Sequence, residues 1–140
     1  MAFVLDCSMT MAWVFPDEAT TSTDRLRDAL IETRAFVPAL WPIETANVLL
    51  VATRRGRIAQ DEWPGILAHL DALPIDIDPV STSRTWGKTL DLARAHGISA
   101  YDAMYLELAM RMRMPLATLD RALRAAGQAA GADLLAIDQA

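Results

Sequence analysis

The stretch that most constrains this chain is its first strand, Phe3-Val4-Leu5-Asp6, apolar at every position until it stops on an acid. A strand without polar alternation has no face to turn to water, so it belongs in the middle of a parallel sheet covered by helices. In open α/β sheets ligands bind beyond the carboxyl ends of such strands, in the crevice where neighbouring strands lead off in opposite directions. Asp6 stands at that end. The remaining chain must supply helices and partner strands, and 140 residues, 53% of them hydrophobic, suffice for one compact core. The expected fold class is α/β: a single three-layer α/β/α domain over residues 1–140, around a central, mostly parallel sheet.

The pattern after Asp6 alternates as such a fold requires. A short helix capped by Ser8 carries Met9, Ala12, Trp13 and Phe15, and Pro16-Asp17 breaks it. Asp17 is read as the cap of the next helix, striped by Leu26, Ala29 and Leu30. Ala35-Phe36-Val37 forms a second strand, and Pro42 sits in the first turn of a helix reaching Arg55, with Gly56 as its stop. A further helix runs from about Gln60 to Leu73, its start distorted by Pro64-Gly65. Ile75-Asp76-Ile77 is a short strand near the sheet edge, with Asp76 and Asp78 facing solvent. Ser81 or Ser83 caps a helix ending at His96-Gly97, and Ser99 opens a long one. Pro115 to Leu119 is the fourth strand, Arg121 to Ala130 the last helix, and Leu134 to Ile137 a terminal strand.

Three later acids, Glu44, Asp102 and Asp120, sit in segments that right-handed crossovers bring to the edge where Asp6 ends. Each alone has an ordinary explanation. Asp102 follows Ser99 at capping-box spacing, Asp120 stands where a helix cap belongs, and Asp6 and Glu44 suit helix starts. Capping does not require that all four gather, and gathered carboxylates repel unless a cation joins them. Oxygen donors favour Mg²⁺ or Mn²⁺ over zinc, which would want histidine or cysteine. A formal net charge of −5 argues against broad phosphate binding, so nucleic-acid chemistry here would need a metal and a local basic patch. Arg54, Arg55 and Arg57 are the densest basic group and candidates for phosphate contact. Ser8, Asn47 and Thr118 are placed to hydrogen-bond the carboxylates or metal-bound waters from behind. The lone Cys7 is read as a small core residue. No apolar run approaches a membrane span, and an intracellular, soluble protein is expected.

Val4-Leu5-Asp6-Cys7-Ser8, Pro38-Ala39-Leu40-Trp41-Pro42-Ile43-Glu44 with Asn47, Ser99-Ala100-Tyr101-Asp102-Ala103-Met104-Tyr105, and Leu116-Ala117-Thr118-Leu119-Asp120 together resemble the PIN domain, in its order and spacing. The likeness is to the VapC-type toxins of toxin-antitoxin pairs. It implies a metal-dependent, cytoplasmic ribonuclease whose acidic quartet is Asp6, Glu44, Asp102 and Asp120, using Mg²⁺ or Mn²⁺. It also implies an RNA substrate, a cognate antitoxin protein and a homodimer. An antitoxin tail would anchor near Trp13, Phe15 and Trp41 and send a cation, best an arginine, toward the quartet.

Other classes fit less well. A haloacid-dehalogenase-like phosphatase needs a second Asp where Ser8 stands. A receiver domain needs paired acids after its first strand and a late lysine, but the only lysine is Lys88. A dinucleotide-binding enzyme needs a glycine-rich first turn, and the first glycine is Gly56. A non-catalytic PIN-like interaction module and a structure-specific DNA nuclease remain as alternatives.

Overall fold

A computed structural model of the chain describes residues 1–137. Four strands, β1 (Phe3–Leu5), β2 (Ala35–Pro38), β3 (Ile75–Asp78) and β4 (Leu116–Ala117), form one sheet in the order β3-β2-β1-β4, every pair parallel. β1 is therefore central, and all three of its residues are fully buried, as its unbroken apolar run requires. β3 is the edge strand. Its inner ladder to β2 pairs Ala35 with Ile75 through Pro38 with Asp78.

The connections explain where the site lies. From β1 the chain passes through α1 (Cys7–Val14) and α2 (Thr21–Ala29) to β2, then through α3 (Trp41–Arg54) and α4 (Trp63–Asp71) to β3. Both steps go the same way. It then returns across β2 and β1 to β4 by α5 (Thr82–Arg84), a π-helical turn at Thr85–Thr89, α6 (Leu90–His96) and α7 (Ala100–Met112). Right-handed crossovers put the first four helices on one face of the sheet and the returning ones on the other. α7 packs on β1 and β2, and α8 (Arg121–Ala130), which follows β4, packs on α6 and α7. The reversal of direction falls between β1 and β4, so the crevice opens where Asp6 and Asp120 leave the sheet.

Local chemistry sets the ends of these elements. Asp120 caps α8 by accepting from the Leu123 amide at 2.8 Å, and Ser99 caps α7 by accepting from the Asp102 amide at 3.0 Å. Gly56, Gly97 and Gly131 have positive φ just past α3, α6 and α8, the left-handed stop that glycine adopts without a Cβ clash. Pro64-Gly65 does distort the start of its helix: Gln60–Glu62 is a 3-10 turn before α4 proper.

Several expectations are corrected. Asp17 caps nothing; it lies in a 3-10 turn, Pro16–Glu18, and Thr20 caps α2 through a reciprocal bond with Thr23. The terminal strand reduces to one parallel bridge between Leu134 and Leu116, because β4 itself is only two residues long. Asp78 does not face solvent. It joins Arg111 at 2.6 Å and Arg84 at 3.7 Å, in a network that also holds the buried Glu107. Asp76 is half-exposed and gripped by Arg34 through two hydrogen bonds of 2.7 and 2.8 Å. Trp13 and Phe15 are core residues, 7% and 3% exposed, and do not line an open groove, whereas Trp41, 8% exposed, forms part of the wall of a surface cavity of about 460 Å³ with Pro42, Thr45, Leu67, Leu70 and Ile75. The indole of Trp13 donates to the Thr23 carbonyl and that of Trp41 to Thr10 Oγ1, which lets large amphipathic rings sit in the core with their N–H satisfied.

Candidate active site

β1 delivers Asp6 to the carboxyl edge nearly buried, and two hydroxyls fix it there. Ser8 Oγ and Thr118 Oγ1 donate to the same oxygen, Asp6 Oδ2, at 2.6 and 2.7 Å. Among the described residues no hydroxyl donates to Asp6 Oδ1. Thr118 comes from the turn after β4, and its hydroxyl also accepts from the Asp120 amide at 3.0 Å; Ser8 Oγ accepts from the Leu119 amide at 2.9 Å. The β1 and β4 ends are thereby stitched together through side chains where the two-residue ladder stops. Burial raises the Asp6 carboxyl above its ordinary pKa, and the two hydroxyls with the amides of Cys7 and Ser8 pull against that rise.

Glu44 arrives from the first turn of α3 and Asp102 from the first turn of α7, each partly buried. Tyr105, one turn beyond Asp102, donates its hydroxyl to Glu44 Oε1. Burial comes first in raising the Glu44 carboxyl; Asp6 and Asp102 raise it further, and the Tyr105 bond opposes them. Asp102 is raised by burial, then by Asp6 and Asp120, against the Ser99 bond. Glu44 therefore feels the charge of Asp6 and Asp102, and Asp102 that of Asp6 and Asp120. Among the described residues none of them has a salt-bridge partner. Nor do any three His, Cys, Asp or Glu side chains there stand close enough to make a ready cage for an ion.

The donor chemistry suits a hard divalent cation. Cys7 lies beside the site, but burial, Glu44 and Asp6 push its thiol up to about 12, so it stays protonated and supplies no thiolate. Oxygen donors alone remain, the set that favours Mg²⁺ or Mn²⁺.

The other expected site residues are placed differently. Asn47 is exposed on α3 and makes no hydrogen bond to the acids among the described residues; it lines a surface pocket of about 330 Å³ with Val48, Val51, Ala52, Arg55 and Arg57. Arg54, Arg55 and Arg57 lie at the far end of α3, about 15 Å along the helix from Glu44. Arg57 is committed there: its guanidinium bonds Asp17 and Glu18 at 2.9 and 2.7 Å and covers the Phe15 ring at 3.7 Å. Tyr105 is the site residue that sequence reasoning passed over, and the signal was available, because it stands three residues after Asp102 on the same helix face.

Residues 3–128 match the sequence profile of the PIN domain. The chain belongs to the PIN domain family. This PIN domain is 31% identical over 123 residues to ribonuclease VapC3 of Pyrobaculum aerophilum, covering 88% of this chain and 92% of that protein. Its fold is similar to the crystal structure of PAE2754 from Pyrobaculum aerophilum, with a TM-score of 0.67 at 23% identity over 90% of this chain and 79% of that one. It is also similar to VapBC2 from Rickettsia felis, solved bound to a DNA fragment from their promoter, with a TM-score of 0.61 at 12% identity over 89% and 92% of the two chains. FitAcB from Neisseria gonorrhoeae aligns over 97% of both chains, with a TM-score of 0.55 at 18% identity. No helix among the described residues of this PIN domain is long and apolar enough to cross a membrane.

Proposed function

We propose that this PIN domain is a metal-dependent endoribonuclease, the toxin of a toxin-antitoxin pair, and that residues 1–140 work as one nuclease domain in the cytoplasm. The observation that supports the reading is that Asp6 and Asp102 bear on the charge of Glu44, and Asp6 and Asp120 on that of Asp102, while none of the four has a salt-bridge partner among the described residues. The likeness to ribonuclease VapC3 supports RNA as the substrate, and the family's toxin-antitoxin relatives support a protein partner.

In this reading Asp6 and Asp102 are direct ligands of Mg²⁺ or Mn²⁺, and Glu44 and Asp120 complete the acidic site. When bound, such an ion supplies a water deprotonated near neutral pH and charge stabilisation for a phosphodiester under attack. The chain's own part is orientation. Ser8 and Thr118 hold Asp6 through Oδ2, Tyr105 holds Glu44, and the α8 cap holds Asp120. An antitoxin would restrain the enzyme, and an arginine reaching the quartet would compete with the metal. A homodimer is part of the same reading.

Purified chain, free of any partner, incubated with mixed single-stranded RNA and DNA under Mg²⁺, Mn²⁺ or EDTA, tests the activity. RNA cleavage with either ion and none in EDTA is expected. Robust cleavage in EDTA would sink the metal mechanism, and no cleavage under any condition would sink the nuclease reading.

A further inference from the structure

The acidic crevice repels the phosphates of the substrate it is proposed to cut. The four acids carry no salt bridge among the described residues, the formal net charge is −5, and the arginines of α3 lie at the helix's other end. Arg121 and Arg124 follow Asp120 on α8, but Arg124 is taken up by the Thr118 and Leu135 carbonyls at 3.0 and 3.1 Å, so contacts that are not ionic gain weight beside a metal. Tyr101 offers one. It sits in the first turn of α7 immediately before Asp102 and is 66% exposed, whereas Tyr105, one turn further on, is fully buried and bonded to Glu44. Residues four apart lie on one face of a helix, and long side chains lean toward its amino end. Tyr101 thus shares a helix face with Tyr105, one turn nearer the amino end of α7 and next in sequence to Asp102. Ile43, which immediately precedes Glu44 in the first turn of α3, is likewise 73% exposed.

An exposed tyrosine in a first helical turn gains nothing from burial there, and its phenol finds no hydrogen-bond partner among the described residues. We propose that its ring is a platform on which a base of single-stranded RNA stacks beside the acidic site, a proposal that rests on the nuclease reading above. Stacking suits a site of this charge because every base has a π-face and none carries the phosphate's charge. It also requires an unpaired strand, since bases in a duplex already have both faces covered.

Steady-state cleavage of a single-stranded RNA oligonucleotide under Mn²⁺, by the full chain and by Tyr101→Ala, Tyr101→Phe and Tyr101→Leu, tests the idea. Alanine and leucine should raise KM about tenfold, the scale of one lost base–aromatic stack, with kcat within about twofold, while phenylalanine keeps the parent's KM. Replacing the bases around the cut one at a time by an abasic nucleotide should reveal a position where the parent loses the same factor and Tyr101→Ala loses nothing more. That pairing cannot arise from a general loss of folding. A parent-like KM for both the alanine and leucine variants overturns the stacking role while leaving the nuclease reading intact. A parent that cuts no RNA overturns the nuclease reading itself, and one that prefers single-stranded DNA overturns the assignment of RNA as the stacked strand.

Discussion

Tyr105 of α7 donates its hydroxyl to Oε1 of Glu44 on α3, a bond that joins the two helix starts across the carboxyl edge of the sheet. The tyrosine is fully buried and the glutamate partly so. Removing the hydroxyl in Tyr105→Phe keeps the ring's packing and frees the carboxylate to move. Hydrogen bonds to charged groups are worth roughly 1.5–3 kcal/mol, so kcat should fall by about tenfold or more. The melting temperature should drop little, because Glu44 reaches enough solvent to find water. Kinetics and a thermal melt on the same preparation separate these effects, and a variant with the parent's kcat would show that Tyr105 does not position Glu44.

Thr118→Val and Ser8→Ala each remove a donor from the nearly buried Asp6 Oδ2. Either should cost about 2 kcal/mol in denaturant unfolding of the metal-free chain, since the carboxylate keeps its burial and loses a charge-assisted bond. The double variant should depart from additivity, because the two hydroxyls also contact each other at 3.2 Å. Simple additivity would mean that they do not act on Asp6 as a unit.

Asp6, Glu44 and Asp102 all have carboxyl groups raised above their ordinary values, with burial the largest cause in each. A raised folded-state pKa means that the folded chain holds the proton more tightly than the unfolded chain. Its stabilising contribution is fully present below the ordinary carboxylate pKa and is lost as pH rises through the raised values. Metal-free protein should therefore lose melting temperature from these groups as pH rises out of the ordinary carboxylate range toward neutrality, and Asp102→Asn should flatten that slope. Asp76 is shifted the other way by Arg34, but its loss comes as pH falls below the ordinary carboxylate range, outside this window. A melting temperature that climbs steadily over that range would contradict the raised carboxyls.

Away from the site, Arg111 neutralises the buried Glu107 at 2.9 Å and Asp78 at 2.6 Å. Arg111→Met should destabilise the chain by less than the roughly 3–5 kcal/mol typical of a fully buried pair, because Arg84 remains within 3.8 Å of Glu107. Activity per folded molecule should be unchanged. A fall in kcat without a fall in stability would tie this network to the crevice.

The sequence made the frame of this site readable because its signals are local. The apolar run of β1 has no alternative to the sheet centre, and Asp120 follows β4 at the position where a helix cap must stand. What it hid depends on tertiary partners. Nothing local tells Thr20 from Asp17 as the α2 cap; Arg57, forty residues further along, takes Asp17 into an ion pair. Trp13 and Trp41 read equally well as core or as surface until Thr23 and Thr10 are seen to accept their N–H groups. Leu134 to Ile137 has the composition of a strand, but β4 offers it a partner of two residues. Glu44 and Tyr105 lie far apart in the chain, and only the packing of α3 and α7 against the sheet makes them neighbours.

The central claim is that Asp6, Glu44, Asp102 and Asp120 act together on one divalent-ion site, and a Mn²⁺ titration followed by thermal melting tests it most directly. Binding to the folded state alone stabilises by about 2.7 kcal/mol at a hundredfold excess over Kd. The parent's melting temperature should rise with Mn²⁺ and return to baseline in EDTA. Asp6→Asn and Asp102→Asn should respond far less, while being as stable as the parent or more so without metal, since each removes one of the repelling charges. A parent whose melting temperature ignores millimolar Mn²⁺, or asparagine variants that gain as much from it as the parent does, would contradict the four-carboxylate site.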